Sequence, residues 1–225
     1  MNRIIAIDGP AASGKGTLSR NLARALCFAH MDTGALYRAV GYEVLSFDGD
    51  PEILEDALKG ADLLRHKLRN AQDVSDVLSH SGLREENVGS AASKVAGLQQ
   101  VRDQLTDLQR SFANAPGDEF KGAILDGRDI GTVICPDAQL KLYITANDEI
   151  RAERRMKELH SKGLEVTYST VLEEMRARDA RDRSRETAPL KPAEDAVIID
   201  SSDKSADEMF EDALNYARKT FAFSF

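Results

Sequence analysis

The chain is poor in cysteine: Cys27 and Cys135 are its only two among 225 residues, and neither belongs to a C-x-x-C or Cys/His cluster. That excludes a disulfide framework and a thiolate metal site. Both thiols sit in apolar surroundings and are expected to be small buried groups in a reducing compartment. Long apolar runs are also lacking, since nothing approaches the roughly 18 consecutive residues of a membrane span. No basic-then-apolar leader precedes the first segment, so the expectation is a soluble, cytoplasmic protein. Positive charge is in deficit, with 30 Lys and Arg against 38 Asp and Glu and a net charge of −8. A general basic face for nucleic acid is thereby excluded, and any site for a polyanion must be a local basic pocket. Internal repeats and low-complexity segments are missing, and no long exposed apolar stripe stands out, the last of which favours a monomer. What remains is a chain with 42% hydrophobic residues. That is ample for one α/β core carrying an insertion.

The stretch around which the chain is organised is Gly9-Pro10-Ala11-Ala12-Ser13-Gly14-Lys15-Gly16-Thr17. Before it, Arg3 to Asp8 is a short apolar, β-branched run, as a buried parallel strand would be. After it, Leu18, Leu22, Ala25 and Leu26 recur at helical spacing. Strand, glycine-rich turn and helix are the context that makes G-x-x-x-x-G-K a phosphate-binding loop. Backbone N–H groups converge on a phosphate there, and the helix N-terminus adds partial positive charge. Lys15 can bridge the β- and γ-phosphates, and the hydroxyl that a Mg²⁺ ion takes at such loops falls on Thr17. The G-K-G-T form resembles small-molecule kinases of the nucleoside-monophosphate type more than GTPases, and no N-K-x-D guanine-reading motif is present. The bland alternative is a glycine turn with an incidental lysine.

Further along, Phe28 to Met31 reads as a short strand, followed by a helix capped by Asp32 or Thr33 and running to about residue 47. A turn at Asp48 to Pro51 leads to a helix over 52–64. Lys67 to Arg69 and Val74 to Leu78 are expected as two short strands around a turn at Asn70 to Asp73. From Glu86 to Ala113 the spacing is helical. Ala123 to Asp126 and Leu140 to Thr145 are buried strands, and a charged helix runs from Asp148 to about His160. A break at Ser161 to Gly163, a helix from Thr167 to about Arg185, a strand at Ala196 to Asp200 and a helix from about Ser205 to Phe221 complete the chain. Strands separated by helices imply a five-stranded parallel sheet with helices on both faces. Ligands bind such sheets at the carboxyl ends of the strands. The loops expected there are 9–17, 32–38 and 127–131.

Those loops carry the chemistry. Asp126 ends an apolar strand, as the Mg²⁺-holding acid of phosphate-loop enzymes does, directly or through water. The bland alternative is a turn aspartate. Arg128 and Asp129 lie in a loop with Gly127 and Gly131, either as a functional pair or as a local ion pair. Arg38 opens a helix and is either functional or solvated. From Arg176 to Arg185, five arginines fall in ten residues without a lysine. If helical, Arg178, Arg181, Asp182 and Arg185 share one face. A solvated helix laced with Arg–Asp pairs is the bland reading. Beside a phosphate loop, clamping of phosphate by planar guanidinium forks is favoured. Arg154 and Arg155 before the break at Gly163 suggest a mobile lid.

Four stretches in register look like those of bacterial cytidylate kinases. They are Gly9 to Thr17, Met31 to Arg38, Asp126 to Val133 and Arg178 to Arg185, and the likeness runs through nearly the whole chain. The resemblance implies a phosphate-loop nucleoside-monophosphate kinase that uses ATP and Mg²⁺ to phosphorylate CMP, with dCMP as a second acceptor. It implies that Arg38, Arg128 and Arg185 hold the CMP phosphate, and that Arg178 and Asp182 contact the ribose. Thr33 lies in the acceptor pocket, and Ser93, Arg102 and Asp129 read cytosine. Lys15, Arg128 and Arg185 are then the catalytic set. The implied organisation is one kinase unit. Its core is 1–50, 86–150 and 186–225, its monophosphate-binding insertion about 51–85, and its lid about 151–166, followed by the arginine-rich helix 167–185. The family's insertion is β-rich, and residues 60–85 occupy its place. The rival readings are a kinase for UMP, AMP or a sugar acid, and a non-catalytic nucleotide-binding module.

Lys15→Ala is expected to abolish nearly all phosphoryl transfer and leave the fold intact, because the ammonium follows charge as the γ-phosphoryl moves. Steady-state turnover checks this, and retention of more than about a tenth of the wild-type rate contradicts it.

Overall fold

The computed structural model of the chain describes residues 3–71 and 74–222. In chain order the elements are β1 (Arg3–Asp8), α1 (Lys15–Leu26), β2 (Ala29–Asp32), α2 (Thr33–Ser46), α3 (Leu54–Asn70), α4 (Val74–Leu78), α5 (Glu86–Val95) and α6 (Gln99–Asn114). They continue with β3 (Gly122–Gly127), β4 (Leu140–Thr145), α7 (Asp148–Ser161), α8 (Tyr168–Ser184), β5 (Val197–Asp200) and α9 (Ala206–Phe221). The chain divides into two compact units, one of residues up to 31, 110–184 and from 188 onward, the other of residues 32–109 and 185–187.

The first unit is built on the sheet. Strand order is β2-β3-β1-β4-β5, and the β1–β3, β1–β4 and β4–β5 ladders are parallel. Strand β1 is central and buried on both faces, which is why its sequence is apolar from Ile4 to Ile7 rather than alternating. Ile5 and Ile7 join Ile124, Leu142 and Ile144 on one face, packed against Leu18 and Leu22 of α1 and Ala213 and Leu214 of α9. Ile4 and Ala6 face the other way, with Leu125, Ile130, Ile134 and Ala113. Asp8 continues the face of Ala6, and Asp126 that of Ile124. The two carboxylates that end neighbouring central strands therefore serve opposite faces. Helix α9 begins at a capping box in which Ser205 and Glu208 satisfy each other's backbone amides.

In the second unit α2 packs against α3 and α5. Ala57, Gly60, Ala61 and Leu64 form the buried stripe of α3, and a Cβ on Gly60 would stand 2.6 Å from Val44 Cγ2.

Four expectations are corrected here. Lys67 to Arg69 and Val74 to Leu78 are helical, in α3 and α4, instead of two strands. Part of the expected turn, Gln72 and Asp73, lies outside the described residues. The helical run from Glu86 breaks at Ala96 to Leu98 into α5 and α6. Helix α8 ends at Ser184, so Arg185 lies beyond it, and Arg181 is exposed while Asp182 is buried. Cys27 is exposed, because it occupies the left-handed position that ends α1 at φ 55°. Cys135 is buried, and burial pushes its thiol up to about 11.

Gly9 fits only as glycine. Its φ is +151°, and an added Cβ would stand 2.1 Å from the Ile144 carbonyl oxygen of β4. Gly9→Ala is expected to cost at least about 3 kcal/mol. In a thermal melt that lowers Tm by roughly 6–12 °C, and a Tm within about 2 °C of wild type contradicts the packing described.

Candidate active site

The phosphate loop is held by its carbonyls. Lys15 Nζ donates to the Pro10 oxygen at 3.2 Å, Arg151 Nη1 to the Ala11 oxygen at 3.1 Å, and Ser201 Oγ to the Ser13 oxygen at 2.9 Å. A planar trans peptide points its C=O and N–H in opposite directions. Engaging the Ala11 and Ser13 oxygens with the protein therefore turns the Ala12 and Gly14 amides away from it. Gly14 caps α1 in the left-handed region at φ 88°, and Ala12 is left-handed at φ 56°. The alternation of φ signs is how successive amides converge into an anion-binding nest. Thr17, on the first turn of α1, is exposed, and its hydroxyl oxygen accepts from Arg20 at 3.3 Å.

The loop after β3 carries Arg128 and Asp129. Its backbone forms a wide turn over Ile130–Ile134, closed by Ile134 N to Asp129 O at 3.2 Å and Cys135 N to Ile130 O at 2.7 Å. The first two amides of this turn, Ile130 N and Gly131 N, both donate to the Asp8 carboxylate at 2.8 Å. Asp8 is 4% exposed. Burial pushes its carboxyl up to about 7, and Asp129 adds to the rise. The two amides and the Lys15 ammonium pull the other way. Arg128 Nε donates to Asp182 Oδ2 of α8 at 3.2 Å and its Nη1 to the Gly127 oxygen at 3.2 Å, which fixes the plane of the fork. Asp126, on the α1 face of the sheet, is bonded through Oδ2 to His30 Nε2 of β2 at 2.7 Å.

Two helices continue this side. Arg151 of α7 is 1% exposed and meets the Asp179 carboxylate of α8 at 2.6 Å as well as the phosphate loop. Arg154 bonds Ser201, through its hydroxyl at 2.9 Å and its carbonyl at 2.6 Å. Arg178 and Arg185 are half-buried.

The second unit holds Thr33, Arg38, Ser93 and Arg102, together with Arg185. Asp32 ends β2 and caps α2, accepting from Ala35 N at 3.2 Å, while its other oxygen accepts from Arg38 Nη2 at 2.6 Å. Thr33 and Ser93 are buried. Arg102 is 2% exposed, donates to the Ala96 oxygen at 3.4 Å and lies 5.7 Å from the Tyr37 ring centre.

Among the described residues no group of three or more His, Cys, Asp and Glu is arranged to hold a metal ion. An ion on this chain would draw most of its ligands from phosphate and water, for which one carboxylate and one hydroxyl suffice. Asp126 and Thr17 fit that donor set.

The reading of the sequence overlooked Asp8, His30, Arg151 and Ser201. Asp8 carried the signal that singled out Asp126, an acid ending an apolar strand. For the others the telling contacts are distant in sequence, His30 with Asp126 at 96 positions, Arg151 with Ala11 at 140 and Ser201 with Ser13 at 188, and such contacts leave no local pattern.

A profile described as cytidylate kinase matches residues 5–219. The cytidylate kinase of Paramagnetospirillum magneticum is 51% identical over 214 residues, covering 95% of this chain and 97% of that protein. That of Methylocella silvestris is 49% identical over 211 residues, covering 94% and 92%. A crystal structure of an uncharacterized protein from Eubacterium ventriosum shares the fold, with TM-score 0.54 and 16% identity over 97% of this chain and 99% of that one. The profile spans the phosphate loop, the Arg128–Asp129 loop and the arginine helix alike, and the chain belongs to the cytidylate kinase family.

Proposed function

We propose that the chain transfers the γ-phosphoryl of MgATP to CMP, and also to dCMP, releasing ADP and CDP in pyrimidine nucleotide metabolism in the cytoplasm. The observation that supports this most is the pairing of a pre-formed phosphate loop with arginines whose forks are already held by carboxylates. Arg128 is set by Asp182 and Arg38 by Asp32.

The chemistry needs no covalent intermediate on the protein. Donor and acceptor are both polyanions, and transfer requires their oxygens in line at short range. In this reading the Ala12 and Gly14 amides and Lys15 take the ATP phosphates. Arg38, Arg128 and Arg185 neutralise the CMP phosphate, and Arg128 and Arg185 also stabilise charge as the phosphoryl moves. An arginine in that role contributes about 10³–10⁵ in rate. Arg178 and Asp182 hold the ribose, Asp182 doing so while it orients Arg128. Thr33 lines the acceptor pocket, and Ser93, Arg102 and Asp129 read cytosine. Thr17 and Asp126 would hold Mg²⁺, Asp126 through water, and the ion would neutralise the β- and γ-phosphate charge. The segment at about 151–166 acts as a lid that closes on substrate. Arg151 and Arg154 at its base are pinned, so its movement starts after them. The protein works as a monomer, without nucleic acid or a membrane; among the described residues no helix is long and apolar enough to cross one.

Cytosine presents an amino donor beside two acceptors, whereas uracil reverses the pattern at the 4-position and N3. Asp129 suits the amino group, and Arg102 suits the acceptors. A site built for one pattern rejects the other by as much as about 10⁴–10⁵. Asp129→Ala is therefore expected to lower kcat/KM for CMP far more than for UMP, and an unchanged ratio shows that Asp129 does not read the base. Arg38→Ala and Arg185→Ala are expected to raise KM for CMP by about tenfold or more with KM for ATP little changed. A selective rise for ATP would mean that the two sites are exchanged.

A further inference from the structure

The turn over Ile130–Ile134 poses a local problem. The first amides of any helical turn lack partners within it, and the residue ahead of the turn usually satisfies them with its own side chain. That residue is Asp129, a good capping type, yet its side chain makes no capping bond to its own turn. Asp8 does so instead, from β1, with one carboxylate oxygen on each of Ile130 N and Gly131 N. A Cβ on Gly131 would stand 3.5 Å from Asp8 Oδ2, in ordinary van der Waals contact, so the carboxylate lies close against this backbone.

We propose that Asp8 is a positioning residue for acceptor specificity: by capping the turn from another strand it keeps Asp129 from capping it, and so holds the Asp129 carboxylate for the base. The proposal rests on the reading of Asp129 as the residue that faces cytosine. It adds a residue 122 positions away that makes this use of Asp129 available. It also accounts for a buried carboxylate that phosphoryl transfer itself does not call for. A carboxylate can accept from two amides at once. A neutral acid or an amide side chain turns a donor toward one of them, leaving a buried N–H unmatched. Asp129, as the residue ahead of the turn, is then drawn into the cap.

The surroundings set where this happens. Asp8 faces Lys15 at the start of α1, Asp129 and Cys135 at the two ends of the turn, and Tyr143 on β4. Burial outweighs the ammonium and the two amides, so protonation falls at about pH 7. Above that the cap is intact, and below it Asp8 is neutral and the cap fails.

The test is the ratio of kcat/KM for CMP to that for UMP, measured from pH 6 to 8.5 in wild type, Asp8→Asn and Asp129→Ala. Both substrates carry the same phosphate, so its titration cancels in the ratio. The wild-type ratio is expected to be highest at pH 8.5 and to fall by about tenfold or more as the pH drops through 7, the worth of one lost hydrogen bond to a charged group. Asp8→Asn is expected to show a low ratio that does not vary with pH, and Asp129→Ala likewise. A purely structural role for Asp8 lowers both specificity constants together. An unchanged ratio in Asp8→Asn, with a reduced one in Asp129→Ala, overturns the proposal and leaves the reading of Asp129 standing. An unchanged ratio in Asp129→Ala overturns that reading and the proposal with it. If Asp8→Asn does not fold, the wild-type profile decides alone, and a ratio flat from pH 8.5 to 6 overturns the proposal.

Discussion

A charge is buried where the central strand of the sheet meets the phosphate loop, and it governs how the active site is assembled. Asp8 lies out of water, between the strand that feeds the loop and the turn that follows β3. An isolated carboxylate there would be intolerable. It is held by two backbone amides and the nearby Lys15 ammonium. Those contacts fix the turn after β3 to the end of β1, and with it the positions of Arg128 and Asp129. On the opposite face of the same strand ends, Asp126 meets His30. The alternation of a strand thus allots one carboxylate to the turn and the other to the α1 side.

The arginines obey a related rule. In a chain of net charge −8, three guanidinium groups around these elements are met by the protein's own carboxylates. Arg38 is bonded to Asp32, Arg128 to Asp182 and Arg151 to Asp179. These pairs differ in kind. Arg38 and Asp32 remain a quarter or more exposed, so their attraction is screened and worth little to stability. Arg151 and Asp179 are almost wholly buried, and removing one partner would strand a charge at a cost of about 3–5 kcal/mol. The exposed pair leaves its arginine partly open to solvent, whereas the buried one holds helices to the loop.

How much of this could be read from the sequence follows from the range of the interactions. The phosphate loop was legible because glycine spacing, strand and helix are contiguous. The strands ending at Asp8, Asp126 and Asp200 were legible as apolar runs with a polar stop. Lys67 to Arg69 read as a strand rather than as the end of α3 for an intelligible reason. Helix α3 buries Ala57, Gly60, Ala61 and Leu64, but beyond Leu64 only the half-buried Leu68 continues the stripe among charged and polar residues, too little to show a period. Its last turns persist through contacts invisible in a pattern, Lys67 to Glu43 at 2.6 Å and the Asn70 side chain to the His66 oxygen at 2.9 Å. Cys27 looked buried because its neighbours are apolar, yet a helix-ending left-handed residue points outward. Arg185 was placed on the helix face by spacing, but the helix stops one residue earlier. Asp8, His30 and Arg151 act on residues brought near only by sheet order, which no local reading supplies.

Acceptor identity is where the account is most exposed. Initial rates of ADP release with MgATP should be compared at equal, sub-saturating concentrations of CMP, dCMP, UMP, AMP and a sugar acid. The account predicts that CMP is fastest, with dCMP next, and that UMP, AMP and the sugar acid are slower by at least about 100-fold. A rate with UMP, AMP or the sugar acid that equals or exceeds the rate with CMP would contradict it.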